Sequence, residues 1–169
     1  MYLYETLMNS DTKIFKGFFV VLIFLLYFVV VNNLLAIPED TIKVVVKNPE
    51  AEAPSIYQIN FKISKAISPK AVIKIKFPLS FDLSGVLVAG SGSINGGFEM
   101  KTENQVVTLK RTGLGEEIKP NKKVDVKIAI VINPEEAGES YSIQIEVFDD
   151  NNKKIIQKQE TVKILPKKE

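Results

Sequence analysis

The chain has 169 residues, 22 basic against 20 acidic, and no cysteine, histidine or tryptophan. Without cysteine there are no disulfides, thiolate metal sites or lipobox lipidation; without histidine, Ser-His-Asp and Cys-His catalysis and the commonest transition-metal ligand are excluded. Arg111 is the single arginine and the charges are interspersed along the sequence, so neither bidentate base readout nor a strong steering field points to nucleic acid.

Gly17 to Val31 (GFFVVLIFLLYFVVV) is an unbroken apolar run, preceded by Lys13 and Lys16 and followed by Glu39 and Asp40. An apolar run with cationic flanks at the chain start suits a membrane, and the positive-inside bias puts the residues after 36 outside the cytoplasm. As a helix of about 1.5 Å per residue the run is short for a hydrocarbon core of roughly 30 Å. Extension through Asn32, Asn33, Leu34, Leu35 and Ala36 would let it span. Ala36 is also a plausible residue before a signal-peptide cut, although Leu34 is large where a small side chain is expected. Residues 1–36 are thus a signal peptide or an N-terminal membrane helix, with cleavage favoured, and residues 17–36 contact the membrane if uncleaved. Residues 37–169 form the exported part, of a size that supports one domain with a proper core.

From Thr41 onward the apolar period is two, the strand signal. Strands are expected at Thr41–Lys47, Ser55–Ser64, Lys70–Phe77, Gln105–Arg111, Lys122–Val131, Glu139–Phe148 and Gln157–Leu165, with shorter ones at Val86–Ala89 and Gly97–Lys101. The alternation places Tyr57, Ile59, Phe61 and Ile63 on one face, then Ala71, Ile73, Ile75 and Phe77, then Val124, Val126, Ile128 and Ile130, then Tyr141, Ile143, Ile145 and Val147. Eight or nine short strands with one-sided alternation read as an all-β, antiparallel, Ig-like sandwich. Pro134–Gly138 has the composition of a single helical turn. Lys74, Lys76, Lys122, Lys123 and Lys127 fall on outward positions, read as a solvated face or as protection of a strand edge.

Tyr57-Gln-Ile59-Asn-Phe61 and Ala71-Val-Ile-Lys-Ile-Lys-Phe77-Pro78-Leu-Ser-Phe81-Asp-Leu-Ser84-Gly-Val86 resemble a module repeated in bacterial and archaeal surface and secreted proteins. Ile132-Asn133-Pro134-Glu-Glu-Ala137-Gly138-Glu-Ser-Tyr141-Ser-Ile143-Gln-Ile145 is similar to a later segment of the same module, so the resemblance runs over residues 41–165. It implies an Ig-like β-sandwich in a structural or spacer role, although a single module spaces little, and it implies no activity. The shared residues also have local readings. Phe77-Pro78 and Asn133-Pro134 end strands, Phe81 folds back over the core, and Tyr141 turns its hydroxyl to backbone as in a tyrosine corner.

No catalytic constellation is readable. Asp149-Asp150-Asn151-Asn152 is the sharpest oxygen cluster: Asp149, Asp150 and Asn152 are the candidate calcium ligands, but the stretch lacks a spaced D-x-D-x-D-G pattern and has the residues that a hairpin turn needs. No other cofactor is implied. Ser91 to Gly97 lacks the Gly-Lys-Ser/Thr of a phosphate loop; as a loop at a sandwich end it is the first candidate for partner contact, through Ser91 and Asn95. Glu39-Asp40, Glu116-Glu117 and Glu135-Glu136 read as surface pairs, and Asp82 has no nameable carboxylate partner for glycoside hydrolysis. The expected function is a non-enzymatic extracytoplasmic structural or adhesion module of the cell envelope or a secreted assembly. The alternatives are a calcium- or glycan-binding module, or a subunit of an exported filament or secretion complex. The envelope or protein partner is not named by any motif.

Overall fold

A computed structural model describes Tyr27 and residues 39–138 and 140–168. The expected membrane segment, residues 17–36, therefore lies outside the described residues, Tyr27 aside. Among the described residues no helix is long and apolar enough to cross a membrane.

Among the described residues nine strands follow one another: β1 (Thr41–Val46), β2 (Pro54–Lys62), β3 (Val72–Lys76), β4 (Val88–Gly90), β5 (Phe98–Glu103), β6 (Val106–Arg111), β7 (Lys123–Ile132), β8 (Ser140–Phe148) and β9 (Lys154–Lys163). They form two antiparallel sheets, one ordered β1-β2-β7-β4 and the other β5-β6-β3-β8-β9. Every expected strand is present. The largest displacements are at β9, which starts at Lys154, and at β4, which is shifted toward Gly90. Pro134–Gly138 is not a helical turn. It is irregular, because Gly138 at φ 83° turns its N–H to the carbonyl of Ile164 and docks the segment on the end of the chain.

The core lies between the sheets. Ile59, Ile73, Ile75, Leu109, Ile128, Ile143 and Ile145 are fully buried, and each such side chain contributes about 1.5–3 kcal/mol relative to exposure. One end is closed by aromatic rings: Tyr57, Phe77, Phe81 and Tyr141 meet at centroid distances of 5.3 to 6.0 Å, mostly edge to face, the arrangement the ring quadrupole favours. Tyr141 donates its hydroxyl to the carbonyl of Glu136 at 2.8 Å, which is the expected tyrosine-corner bond. Gln105, held at φ 62° in the β5–β6 turn, donates to the carbonyls of Pro78, Leu79 and Phe81 and pins the loop that carries Phe81.

One alternation breaks. Ile130 points outward with 47% exposure and Val131 takes the inward position at 0%. The β2–β7 register shifts between Ser55 and Tyr57, so an extra residue on β7 opposes β2 there. Such a bulge moves every later side chain to the other face.

Strand order also corrects one reading of the outward lysines. β3 lies between β6 and β8, and β7 between β2 and β4. Lys74, Lys76 and Lys127 therefore stand where their strands are paired on both sides and protect no edge, whereas β4 pairs only with residues 127–129 of β7 and does not reach Lys123. The exposed edges are β1, β4, β5 and β9; β4, only three residues long, has the brevity by which sheets blunt an edge.

Candidate functional site

The most developed surface feature is the outer face of the four-stranded sheet. Alternation sends Thr41, Lys43 and Val45 of β1 outward, with Ile56, Gln58, Asn60 and Lys62 of β2 and Lys123, Asp125 and Lys127 of β7. Registers arrange these side chains in cross-strand rows. Thr41, Lys62 and Lys123 share one row, Lys43, Asn60 and Asp125 the next, and Val45, Gln58 and Lys127 the third. At the far end the face becomes apolar, through the exposed Val45, Ile56, Ile130 and Val88. A shallow concavity of about 830 Å³ covers the polar rows, walled on one side by Gly92 and Ser93 and reaching Glu160 on β9.

The wall is tied down by Asp125. The Ser93 hydroxyl donates to Asp125 Oδ1 at 2.5 Å, and the Asp125 backbone N–H donates back to Ser93 Oγ at 2.7 Å. Lys127 Nζ lies 3.6 Å from Asp125 Oδ2. The Ser93 hydroxyl, with help from the Gly92 backbone and the Lys127 charge, holds the Asp125 carboxyl below the ordinary carboxylate range against the opposing effect of its burial.

Cross-strand charge is arranged differently on the two sheets. On the five-stranded sheet Lys110 stands opposite Glu99 with an ion pair of 3.4 Å, and Lys74 stands opposite Glu146. On the four-stranded sheet Lys62 stands directly opposite Lys123. Among the described residues neither of these two, nor Lys43, has an ion-pair partner. Charges interspersed along the sequence are thus gathered by the strand pairing into one cationic patch. No sequence signal marked it, because the β2–β7 pairing joins residues about sixty positions apart.

The residues that sequence reasoning singled out are engaged mainly in holding loops. Ser91 Oγ accepts from the N–H groups of Ser93 and Ile94 at 3.0 and 2.8 Å, and Asn95 Oδ1 accepts from the Glu116 N–H at 2.9 Å. Ser91 and Asn95 are therefore in one loop but act on different neighbours, with Ser93 rather than either of them lining the concavity. Asp149 Oδ1 accepts from the N–H groups of Asn151 and Lys153 at 3.0 and 2.8 Å, and Asn152 sits at φ 60°. This is the side-chain capping and left-handed residue that a hairpin turn requires; Asp150 is exposed beside it. Among the described residues no three Asp, Glu, His or Cys side chains gather as a metal site. Asp82 Oδ1 accepts from the Ser84 N–H at 2.8 Å, and this bond, with the Ser84 hydroxyl, pulls its pKa down.

Among the described residues three polar side chains are buried, Ser55, Arg111 and Asn133, and the last two make contacts that their sequence positions did not indicate. Arg111, 1% exposed, donates to the carbonyls of Ile67, Ser68 and Glu116 at 3.3, 2.8 and 2.6 Å. Among the described residues it has no ion-pair partner, and burial lowers its pKa. Asn133, 3% exposed, accepts from the Tyr57 hydroxyl at 2.7 Å and donates to the carbonyls of Asn48 and Glu50. Both join loops to the sandwich.

No protein-family model matches the sequence, and no curated relative matches it. Solved structures share the fold. A cohesin module from a family 33 glycoside hydrolase of Clostridium perfringens superposes with a TM-score of 0.52 at 16% identity, over 76% of this chain and 96% of that one. BcpA, the major pilin subunit of Bacillus cereus, gives 0.50 at 16% identity over 76% of this chain, which spans 40% of the pilin's length. The N-terminal domain of the Streptococcus gordonii adhesin Sgo0707 gives 0.50 at 15% identity, over 76% of this chain and 33% of that one. The chain thus has the β-sandwich fold of pilin, cohesin and adhesin modules.

Proposed function

We propose that this chain is a non-enzymatic structural or adhesion module standing outside the cytoplasm, in the cell envelope or a secreted assembly. The observation that carries the reading is the closed two-sheet core, built on the sandwich fold that pilin, cohesin and adhesin modules use. Two sequence features support it: the cationic-flanked apolar run before residue 36, and a composition without cysteine or histidine. The well-placed carboxylates serve structure, Asp125 holding the Ser93 loop and Asp149 and Asp82 capping turns. Fold alone hosts many activities, so the test is chemical. The purified full chain is to be assayed for hydrolysis of polysaccharide and ester substrates. The reading expects no turnover; turnover abolished by Asp125→Asn or Asp82→Asn contradicts it.

A further inference from the structure

The pairing of Lys62 with Lys123 is the feature of the outer face that folding alone does not explain. Adjacent strands are about 4.7–4.9 Å apart, and like charges directly opposite one another destabilise a sheet. Elsewhere this chain sets lysine against glutamate across strands, at Lys110–Glu99 and Lys74–Glu146. Here it sets lysine against lysine on neighbouring strands, with Lys43 on the diagonal and Asp125 already engaged by Ser93 and Lys127. Within the concavity four lysines, at 43, 62, 123 and 127, stand against Asp125 and, at the margin, Glu160. The patch is complementary to an anion.

The neighbours of the lysines narrow the anion. Gln58 and Asn60 lie along the middle of the concavity, with the Gln58 amide donating to Asn60 Oδ1 at 2.9 Å, and Thr41 and Ser93 add hydroxyls. Amides and hydroxyls beside ammonium groups match a ligand that presents many hydroxyls and spaced single charges. The outward side chains of these rows offer no aromatic platform on which nucleic-acid bases would stack, and no guanidinium fork for bidentate phosphate recognition. We propose that this face binds an acidic polysaccharide, its carboxylates between Lys62, Lys123 and Lys43 and its hydroxyls on the amide row. The inference rests on the chain standing outside the cytoplasm, where such a polymer meets it.

The test uses the full-length chain in mild detergent at low ionic strength, with thermal unfolding as the readout. Polygalacturonate is the probe, neutral dextran and inorganic polyphosphate the controls. Polygalacturonate is expected to raise the Tm by several degrees, with the shift lost at about 0.5 M salt, where screening is strong. Dextran is expected to leave the Tm unchanged and polyphosphate to shift it less. The Lys62→Gln/Lys123→Gln variant is expected to melt no lower than the wild type in the absence of polymer, because a repulsion is removed, and to bind polygalacturonate at least tenfold more weakly. Lys74→Gln/Lys76→Gln on the opposite sheet is expected to keep the full shift. No shift of the wild type, an equal shift in the Lys62/Lys123 variant, or an equal shift with polyphosphate overturns the proposal. None of these outcomes bears on where the chain resides, which surface labelling decides separately.

Discussion

The phenolic hydroxyl of Tyr57 on β2 donates a 2.7 Å hydrogen bond to the side-chain carbonyl of Asn133, 76 residues later, inside the protein. Asn133 passes the connection on, since its amide holds the carbonyls of Asn48 and Glu50 in the turn after β1. One buried amide thus fastens the β1–β2 turn to the end of β7. Tyr57→Phe is expected to destabilise the chain by about 1–3 kcal/mol, the cost of leaving a buried acceptor unpaired. Asn133→Ala is expected to cost more, because it releases three partners. Urea unfolding of the two variants checks the order.

The same tyrosine sets an alkaline limit. Burial raises the Tyr57 pKa well above its ordinary value, so the neutral form is held in the folded state and the charged form is favoured on unfolding. The resulting stability is fully present below the unfolded pKa of about 10 and declines as pH rises above it. Tyr57→Phe is expected to flatten that decline, read as Tm against pH from 9 to 12.

Asp125 acts at the acid end with the opposite sign. Its folded pKa is depressed, first by the Ser93 hydroxyl, so its contribution is present above the unfolded value of about 3.9 and is lost as pH falls through the folded value. Asp125→Asn is expected to lower stability at neutral pH and to flatten the Tm profile below about pH 4. Ser93→Ala is expected to reproduce part of both effects.

Two loops cross at Gly96 and Gly115. A Cβ built on Gly115 would lie 2.2 Å from the Asn95 carbonyl oxygen, whereas one on Gly90 would meet nothing within 4 Å. Backbone on both sides cannot give way as a flexible side chain would. Gly115→Ala is expected to lower the Tm by several degrees and Gly90→Ala to change it little.

The bulge in β7 makes a contrast between adjacent residues. Val131→Ala is expected to cost about 1–3 kcal/mol, since it empties a fully buried position, and Ile130→Ala well under 1 kcal/mol, since its side chain is half exposed. The reverse order would place Ile130 in the core, as simple alternation from Val124 would have it.

These residues also mark what was legible in the sequence. Period-two alternation is local, so it located nine strands and most inward faces, and Pro78, Pro134 and the Asp149–Asn152 turn ended them for reasons visible in the residues themselves. The bulge at Ile130 was not visible, because an inserted residue belongs to a pairing and not to a pattern. Lys62 opposite Lys123, Tyr57 with Asn133 and Ser93 with Asp125 were hidden for the same reason: each joins positions more than thirty residues apart. The resemblance to surface modules matched the fold, while the candidate contact residues Ser91 and Asn95 turned out to brace the loop whose neighbour, Ser93, lines the groove.

The most direct measurement of the central claim uses the absence of cysteine. Leu79, 90% exposed on the loop after β3, is a silent place for a single thiol. Leu79→Cys in the full-length chain, expressed in the native host, is to be treated on intact cells with a membrane-impermeant maleimide, and the culture medium with the same reagent. An extracytoplasmic module is labelled without lysis, on cells or in the medium, in cells whose cytoplasmic thiols stay unmodified. Labelling that occurs only after the cytoplasmic membrane is broken would contradict the account.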